Sequence, residues 1–134
     1  MTDPRILSVD TSGAKLCAII SEGASVVSSH IFEGPRDHCQ HIINVLTRAL
    51  TQEHFELSDI DAFGCVLGPG SFTGLRIGLM AMKICAHAQQ KPLLGITTFE
   101  RMVLDGAQPY QYLWPAQKNH AYLCTDPLNR SAPI

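Results

Sequence analysis

A glycine-rich run is the strongest candidate for a binding site in this sequence. It lies between an apolar run and a long helical pattern and reads Gly68-Pro69-Gly70-Ser71-Phe72-Thr73-Gly74-Leu75-Arg76-Ile77-Gly78. A glycine turn between a strand and a helix can direct backbone N–H groups at an anion. The run is not a P-loop, because no Gly-Lys-Ser/Thr follows, and its third glycine stands one place too late for a dinucleotide fingerprint. The alternative is that Gly70, Gly74 and Gly78 permit tight turning and close packing.

Two further groups of polar residues could bind a metal. Asp10-Thr11-Ser12 ends the first apolar run, where a carboxylate could hold Mg²⁺ through water and Thr11 could face a phosphate. The alternative for Asp10 is a turn cap, since no second carboxylate partner is evident. His38 and His41 lie one helical turn apart and supply half a metal site, but a polar face at a helix start explains them more simply. No nucleophile elbow or catalytic-triad spacing is present.

Composition limits the classes of protein that this chain can represent. Its 134 residues fit one domain, or one domain with an appendage, and 46% hydrophobic content supplies a core. The formal net charge is -2 and the ten basic residues are scattered, so direct binding of RNA or DNA is not expected. Five widely spaced cysteines without a C-x-x-C pair exclude a disulfide framework and a zinc knuckle. Without a signal peptide pattern or a spanning segment, we expect a cytoplasmic protein.

Hydrophobic periodicity predicts an α/β fold. Three β-branched runs joined by tight turns predict an antiparallel meander, and alternating helices and strands follow. The predicted strands are 5–10, 15–21, 24–32, 62–67 and 92–96. The predicted helices are 37–52, with Asp37 as its N-cap, about 75–90, and 99–104, which Thr97 or Thr98 can cap. Two less regular runs, 110–114 and 120–124, could be strands. This order predicts a mixed five-stranded sheet with helices packed on it, the order of a ribonuclease H-like lobe of the actin/hexokinase type.

The second predicted helix carries more apolar surface than one sheet can cover. Its apolar residues surround most of the helix and leave a narrow polar stripe that includes Arg76 and Lys83. The surplus must meet the first helix or another chain, or be buried within the domain. We predict a partner contact formed by residues of both helices: Ile42, Ile43, Leu46, Leu79, Met80 and Lys83.

Five segments resemble the TsaB (YeaZ) family of bacterial proteins of tRNA threonylcarbamoyladenosine biosynthesis. They occur in the family's order between about residues 5 and 105, and the glycine-rich run is highly specific. The segments are Ile6–Ser12, Pro35–Ile42, Leu57–Ala62, Gly68–Gly78 and Gly95–Thr98.

The resemblance implies a non-catalytic scaffold subunit with no cofactor of its own. Members of the family resemble the catalytic subunit TsaD in fold, lack its metal-binding histidine pair and dimerise with it. The small ATPase TsaE joins that pair, and the complex modifies adenosine 37 of ANN-decoding tRNAs. The resemblance also implies that the first two helices form the TsaD contact, that the same face can form a homodimer, and that tRNA is bound only through the complex.

The second part of the chain departs from the family pattern. Where the family opens its second lobe with Asp-Ala-Arg before Glu-Val-Tyr, this sequence has Pro115-Ala116-Gln117-Lys118-Asn119-His120-Ala121-Tyr122. The resemblance therefore implies an actin-like lobe over residues 1–106 and a stub of a truncated second lobe over 107–134. Two alternatives stay open. One is an actin-like phosphotransferase or a peptidase-like enzyme that would use Asp10 and the Gly68–Gly74 turn for ATP and Mg²⁺, and the other is a degenerate remnant.

Overall fold

The computed structural model describes residues 2–34, 37–104, 112–115, 118 and 120–124. Five strands, three helices and a short 3-10 turn form the larger part, and two more strands follow. The strands are β1 (Arg5–Asp10), β2 (Leu16–Glu22), β3 (Ser25–Phe32), β4 (Ala62–Val66), β5 (Leu93–Ile96), β6 (Tyr112–Pro115) and β7 (Ala121–Cys124). The helices are α1 (His38–Thr51), α2 (Phe72–Gln89) and α3 (Thr98–Leu104), and the 3-10 turn is Leu57–Asp59.

The main sheet has five strands in the order β3-β2-β1-β4-β5. The first three strands pair antiparallel, whereas β4 lies parallel to both β1 and β5. Every residue of β4 is buried, as its unbroken apolar sequence predicted for an interior strand. The predicted mixed five-stranded sheet is therefore confirmed.

One face of this sheet is covered by α1 and α2, which form the core with it. Helix α1 packs on β2 and β3, while α2 packs on β4, β1 and β5. The alternating inward residues of the strands meet the apolar stripes of both helices, and Phe63, Leu7 and Met82 are among the largest fully buried side chains. A buried polar contact joins α1 to the sheet, because Ser28 Oγ of β3 donates to the Ala49 carbonyl oxygen at 2.6 Å.

Local chemistry sets where the helices begin. Asp37 caps α1 as predicted, because its side chain accepts a hydrogen bond from the Gln40 N–H at 3.3 Å. Ser71 caps α2 in the same way, so this helix begins at Phe72 rather than after the predicted turn through Gly74. Gln90 ends α2 in the left-handed conformation, with φ of 53°.

The two final strands form a sheet of their own. The runs predicted around 110–114 and 120–124 are present as Tyr112–Pro115 and Ala121–Cys124, which pair antiparallel. The predicted lobe boundary at residue 106 lies outside the described residues, and the division into a lobe and a stub stays a prediction. No helix within the described ranges is both long and apolar enough to cross a bilayer.

Candidate functional site

The glycine-rich run and Asp10 meet at one edge of the main sheet. Because β1, β4 and β5 are parallel, their carboxyl ends lie side by side. The segments that leave those ends are Asp10–Gly13, Leu67–Ser71 and Thr97–Arg101. This edge is where a sheet of this kind usually binds its ligands, so it is the first place to look for chemistry.

The glycines of the run allow α2 to pack directly on the backbone that follows β1. A Cβ atom built on Gly70 would lie 2.7 Å from the Ser12 carbonyl oxygen, and one on Gly74 would overlap the Thr11 carbonyl oxygen. A Cβ on Gly78 would overlap the Thr11 hydroxyl. Thr11 is only 1% exposed as a result. The spacing of the glycines therefore serves close packing of a helix on a strand end.

Polar backbone groups of the turn bond to neighbouring segments of the chain. The Ser71 N–H donates to the Ser12 carbonyl oxygen at 2.8 Å, and the Gly74 N–H donates to Ser71 Oγ at 3.2 Å. The carbonyl oxygens of Gly68 and Pro69 accept from the Thr98 N–H and hydroxyl. The turn after β4 therefore contacts the segments that follow β1 and β5. These contacts favour close packing over anion binding as the role of the glycines.

Both oxygens of the Asp10 carboxylate have partners within the chain. Oδ1 accepts from the Ser12 N–H at 2.9 Å and from the Ser12 hydroxyl at 2.6 Å, which caps the turn after β1. Oδ2 lies 3.2 Å from Nε of Arg101 on α3. A Mg²⁺ ion at this carboxylate would have to displace the guanidinium. In this structure Asp10 caps the turn and Thr11 packs against α2, and their role as a phosphate or metal position stays a prediction.

Arg101 is the residue of this edge that the sequence did not reveal. The sequence did predict Thr97 or Thr98 as a helix cap, and a reciprocal capping box is present. The Glu100 N–H donates to Thr97 Oγ1 at 3.0 Å, and the Thr97 N–H donates back to Glu100 Oε2. The T-x-x-E pattern could have indicated this box and hence the orientation of α3. Nothing local signalled that Arg101 would meet Asp10.

The two histidines of α1 do not converge on a shared point. His38 is buried, and its Nε2 atom lies 2.9 Å from the Gly13 carbonyl oxygen. His41 is half-buried and stacks on Phe32, with ring centroids 3.9 Å apart. His38 stands at the start of the helix as expected, but it is buried there because the loop after β1 packs against it. Among the residues that the structure describes, no three His, Cys, Asp or Glu side chains are grouped as metal ligands.

The cysteines of the sheet and α2 are not poised for reaction. Burial raises the pKa of the Cys17 thiol, and the charge of Asp10 across the β1–β2 pair raises it further. Burial also raises the pKa of Cys65 and Cys85. A raised pKa leaves less thiolate at neutral pH, so none of the three has the character of a catalytic nucleophile.

The outer surfaces of α1 and α2 expose a group of large apolar side chains, here called the helical face. Its members are Ile43 (67% exposed), Leu79 (38%), Met80 (58%) and Ile84 (60%). Lys83 is exposed among them. A group of this kind on a small domain is typical of a protein–protein contact. The charged residues of α2 suggested a purely polar exposed stripe. The stripe is in fact mixed, because Met80 and Ile84 are also exposed.

Two of the six predicted contact residues are placed in the core instead. Ile42 is 5% exposed and Leu46 is 6% exposed, and both pack against the sheet. The helical period was correct, but the sheet covers the side of α1 that carries Ile42 and Leu46. The helical face therefore retains Ile43, Leu79, Met80 and Lys83 from the prediction and gains Ile84.

Comparisons with known proteins agree on one family. Residues 29–129 match the family profile described as TsaD, tRNA N6-adenosine threonylcarbamoyltransferase. The tRNA threonylcarbamoyladenosine biosynthesis protein TsaB of Escherichia coli (strain K12) is 35% identical over 98 residues, which cover 73% of this chain and 42% of that protein. A tRNA N6-adenosine threonylcarbamoyltransferase of Brucella anthropi is 32% identical, over 81% of this chain and 37% of the relative.

Solved structures agree with these sequence relatives. YeaZ from Pseudomonas aeruginosa superposes with a TM-score of 0.78 at 26% identity, covering 90% of this chain and 58% of that one. This chain thus spans about two fifths of the length of its curated relatives, and somewhat more than half of the solved one.

Proposed function

We propose that this chain is a non-catalytic partner subunit in tRNA threonylcarbamoyladenosine formation. It belongs to the family of the TsaD threonylcarbamoyltransferases and is similar to TsaB (YeaZ) proteins in sequence and structure. In this role it dimerises with a TsaD-type transferase through the helical face. A TsaE-type ATPase joins the pair, and tRNA is held by the complex rather than by this chain alone.

The observation that carries this proposal is the helical face itself. Ile43, Met80 and Ile84 are each more than half exposed, although α1 and α2 pack on the sheet with their other sides. Burying such residues against a partner removes apolar surface from water, and this stabilises the complex by about 25 cal/mol for each Å² of apolar surface buried. An assignment as a partner subunit accounts for this surface, whereas an isolated enzyme would leave it in solvent.

The geometry at the carboxyl edge supports a scaffold rather than an enzyme. Asp10 is paired with Arg101, and the Ser71 N–H of the glycine turn donates to the Ser12 carbonyl oxygen at the end of β1. Both features are structural explanations for residues that the rival phosphotransferase would use for ATP and Mg²⁺. Calorimetry with Mg-ATP tests the rival. Micromolar binding that Asp10→Asn abolishes would replace the scaffold with the rival.

Co-purification with the transferase subunit from the same organism tests the partner contact. We expect Met80→Asp with Ile84→Asp to abolish the complex, because each carboxylate would be buried against apolar surface. The matched control is Val26→Asp with Ile31→Asp, which makes the same change at exposed apolar positions of β3. Equal recovery of the complex with both double variants would reject the helical face as the contact.

Complementation separates a working subunit from a degenerate remnant. We expect the gene to restore the modified nucleoside, measured by mass spectrometry of digested tRNA, in a strain that lacks its own TsaB. The same gene with the Met80→Asp and Ile84→Asp changes should not restore it. Failure of the unaltered gene, with the protein folded and present, would favour the remnant.

A further inference from the structure

We infer that the outer edge of β3 binds an extended segment of another protein, and that a basic side chain of that segment enters an acidic cleft at the start of β3. This surface belongs to the sheet and not to the helical face. The inference therefore does not depend on the proposed function. Its basis is an unpaired strand edge that adjoins a cleft lined by carboxylates.

Strand β3 lies at one edge of the main sheet. It is the first strand in the order β3-β2-β1-β4-β5 and pairs with β2 alone. Among the residues that the structure describes, no backbone group of β3 bonds to any segment other than β2. The N–H and C=O groups on its outer side are therefore open to a further strand. Adding a strand to such an edge is a common way for a domain to bind an extended peptide.

The composition of β3 leaves this edge unprotected. Edge strands are usually very short, or they carry charged residues or proline that prevent pairing with another chain. β3 has eight residues, Ser25–Phe32, and contains no Lys, Arg, Asp, Glu or Pro. Val26 is 63% exposed and Ile31 is 51% exposed. The pairing with β2 is irregular at Val27, which leaves 28–32 as the regular part of the edge.

An acidic cleft adjoins the start of this edge. Its volume is about 600 Å³, and Ser25 and Val27 of β3 contribute to its lining. A segment that runs along β3 therefore has one of its ends at the cleft. The charged residues of the lining are four carboxylates and one guanidinium, from Asp3, Glu22, Asp59, Asp61 and Arg5.

The negative charge of the cleft is only partly balanced within the chain. Glu22 and Asp61 are in ion pairs with basic residues of the chain. Asp3 and Asp59 are exposed, and neither takes part in an ion pair among the described residues. A cationic side chain of a bound segment would therefore meet carboxylates that have no cationic partner, and opposite charge at this position favours binding.

These two features together specify the segment. Hydrogen bonding along the edge requires an extended backbone, and the exposed Val26 and Ile31 favour β-branched neighbours. The cleft requires a Lys or Arg at the end of the segment that lies beside the start of β3. A second copy fits less well, because a two-fold pairing of two β3 strands places the end of one beside the start of the other. The residue after that end is Glu33, and the nearby Lys15 is already paired with it.

Short synthetic peptides of alternating Thr and Val, with Lys at one end, test the edge. They are made with Lys first and with Lys last, because the strand direction decides which end meets the cleft. We expect one of them to bind at millimolar concentration or below and to slow hydrogen exchange at backbone amides of β3, measured by NMR. N-methylation of alternate amides keeps the side chains but removes donors along one side of the peptide. Of the two possible N-methylated forms, one should bind about tenfold or more weakly.

Variants of the protein test the cleft. Asp3→Asn with Asp59→Asn should weaken binding of the lysine peptide about two- to fivefold at low salt, and high salt should reduce the difference. The control is Glu33→Gln with Glu53→Gln, which makes the same change in net charge at exposed residues outside the cleft and should leave binding unchanged. A peptide with Glu in place of Lys should bind more weakly than the lysine peptide.

Three results would overturn the inference. Equal binding of the lysine peptide and both N-methylated forms, or no binding by either lysine peptide, would reject the edge. Equal binding of the Lys and Glu peptides would reject the cleft as the basis of selection. If sedimentation of the chain alone shows a dimer that Ile31→Lys dissociates, the edge binds a second copy and the chosen occupant is wrong. None of these measurements includes the transferase, so they stand or fall independently of the proposed function.

Discussion

Nε of Arg101 lies 3.2 Å from Oδ2 of Asp10 and joins α3 to the end of β1. The pair neutralises the carboxylate that an actin-like enzyme would need for a metal-bound nucleotide. It also ties the segment after β5 to the central strand of the sheet. The contact therefore helps to hold α3 in place and also supplies a cationic partner for the Asp10 carboxylate.

Replacing Arg101 with Gln should lower the free energy of unfolding by about 0.5–1 kcal/mol at low salt, because the pair is partly exposed and screened. Urea denaturation measures the change, and high salt should reduce it. Lys15→Gln is the matched control, since it removes the more exposed pair with Glu33 and should leave stability unchanged. A loss of equal size in both variants would show that the Asp10–Arg101 pair has no special role.

Replacing Gly78 with Ala should destabilise the fold by about 1–3 kcal/mol through overlap with Thr11. The sign of this stability change is informative, because a Gly→Ala change at an exposed helical position otherwise stabilises a protein by about 1 kcal/mol. Gly13→Ala is the control, since a Cβ there meets nothing within 4 Å. Thermal unfolding of the two variants gives the comparison. A stabilised Gly78→Ala protein would contradict the close packing of α2 on the backbone after β1.

Leu46→Ala and Ile43→Ala should differ sharply, although the residues lie three positions apart on α1. Leu46 is in the core, so its truncation should cost about 2–5 kcal/mol. Ile43 is 67% exposed, and its truncation should change stability by less than about 0.5 kcal/mol. Denaturant titration of the isolated chain measures both. Similar losses would mean that α1 is rotated relative to the sheet.

Stability should fall as the pH rises above about 9. The Cys17 pKa is raised in the folded protein from its ordinary value of 9.0, so the unfolded chain loses this proton first. The stabilising contribution of the neutral thiol is complete below that value and is lost as the pH rises through the folded pKa. Cys17→Ala should make the decline between about pH 8.5 and 10 shallower.

Thiol labelling provides an independent check of the same environment. Exposed Cys39 should react with iodoacetamide at neutral pH well before Cys17, Cys65 and Cys85, which are buried or partly buried and have raised pKa values. Peptide mass spectrometry at timed intervals follows each site. Early labelling of Cys17 would contradict its burial beside Asp10.

Much of the fold could be predicted from the sequence, because strands, helices and caps depend on neighbouring residues. Alternating apolar residues marked the strands, Asp37 marked the start of α1, and the capping chemistry near Thr97 marked α3. The glycine-rich run indicated a strand-to-helix joint and carried the family resemblance. Each of these features is defined by residues only a few positions apart, so the sequence pattern alone is enough to predict it.

The tertiary structure alone decided how the elements face one another. Helical spacing identified Ile42, Ile43, Leu46 and Met80 as apolar positions of α1 and α2. It could not show which side of each helix packs against the sheet and which side stays exposed. Glycine spacing allowed either an anion cradle or a packing joint, and the approach of α2 to Thr11 chose the joint. The partner of Asp10 lies far along the chain on α3. Each outcome depends on which distant segments fill the neighbouring space, and periodicity along one segment carries no information about that.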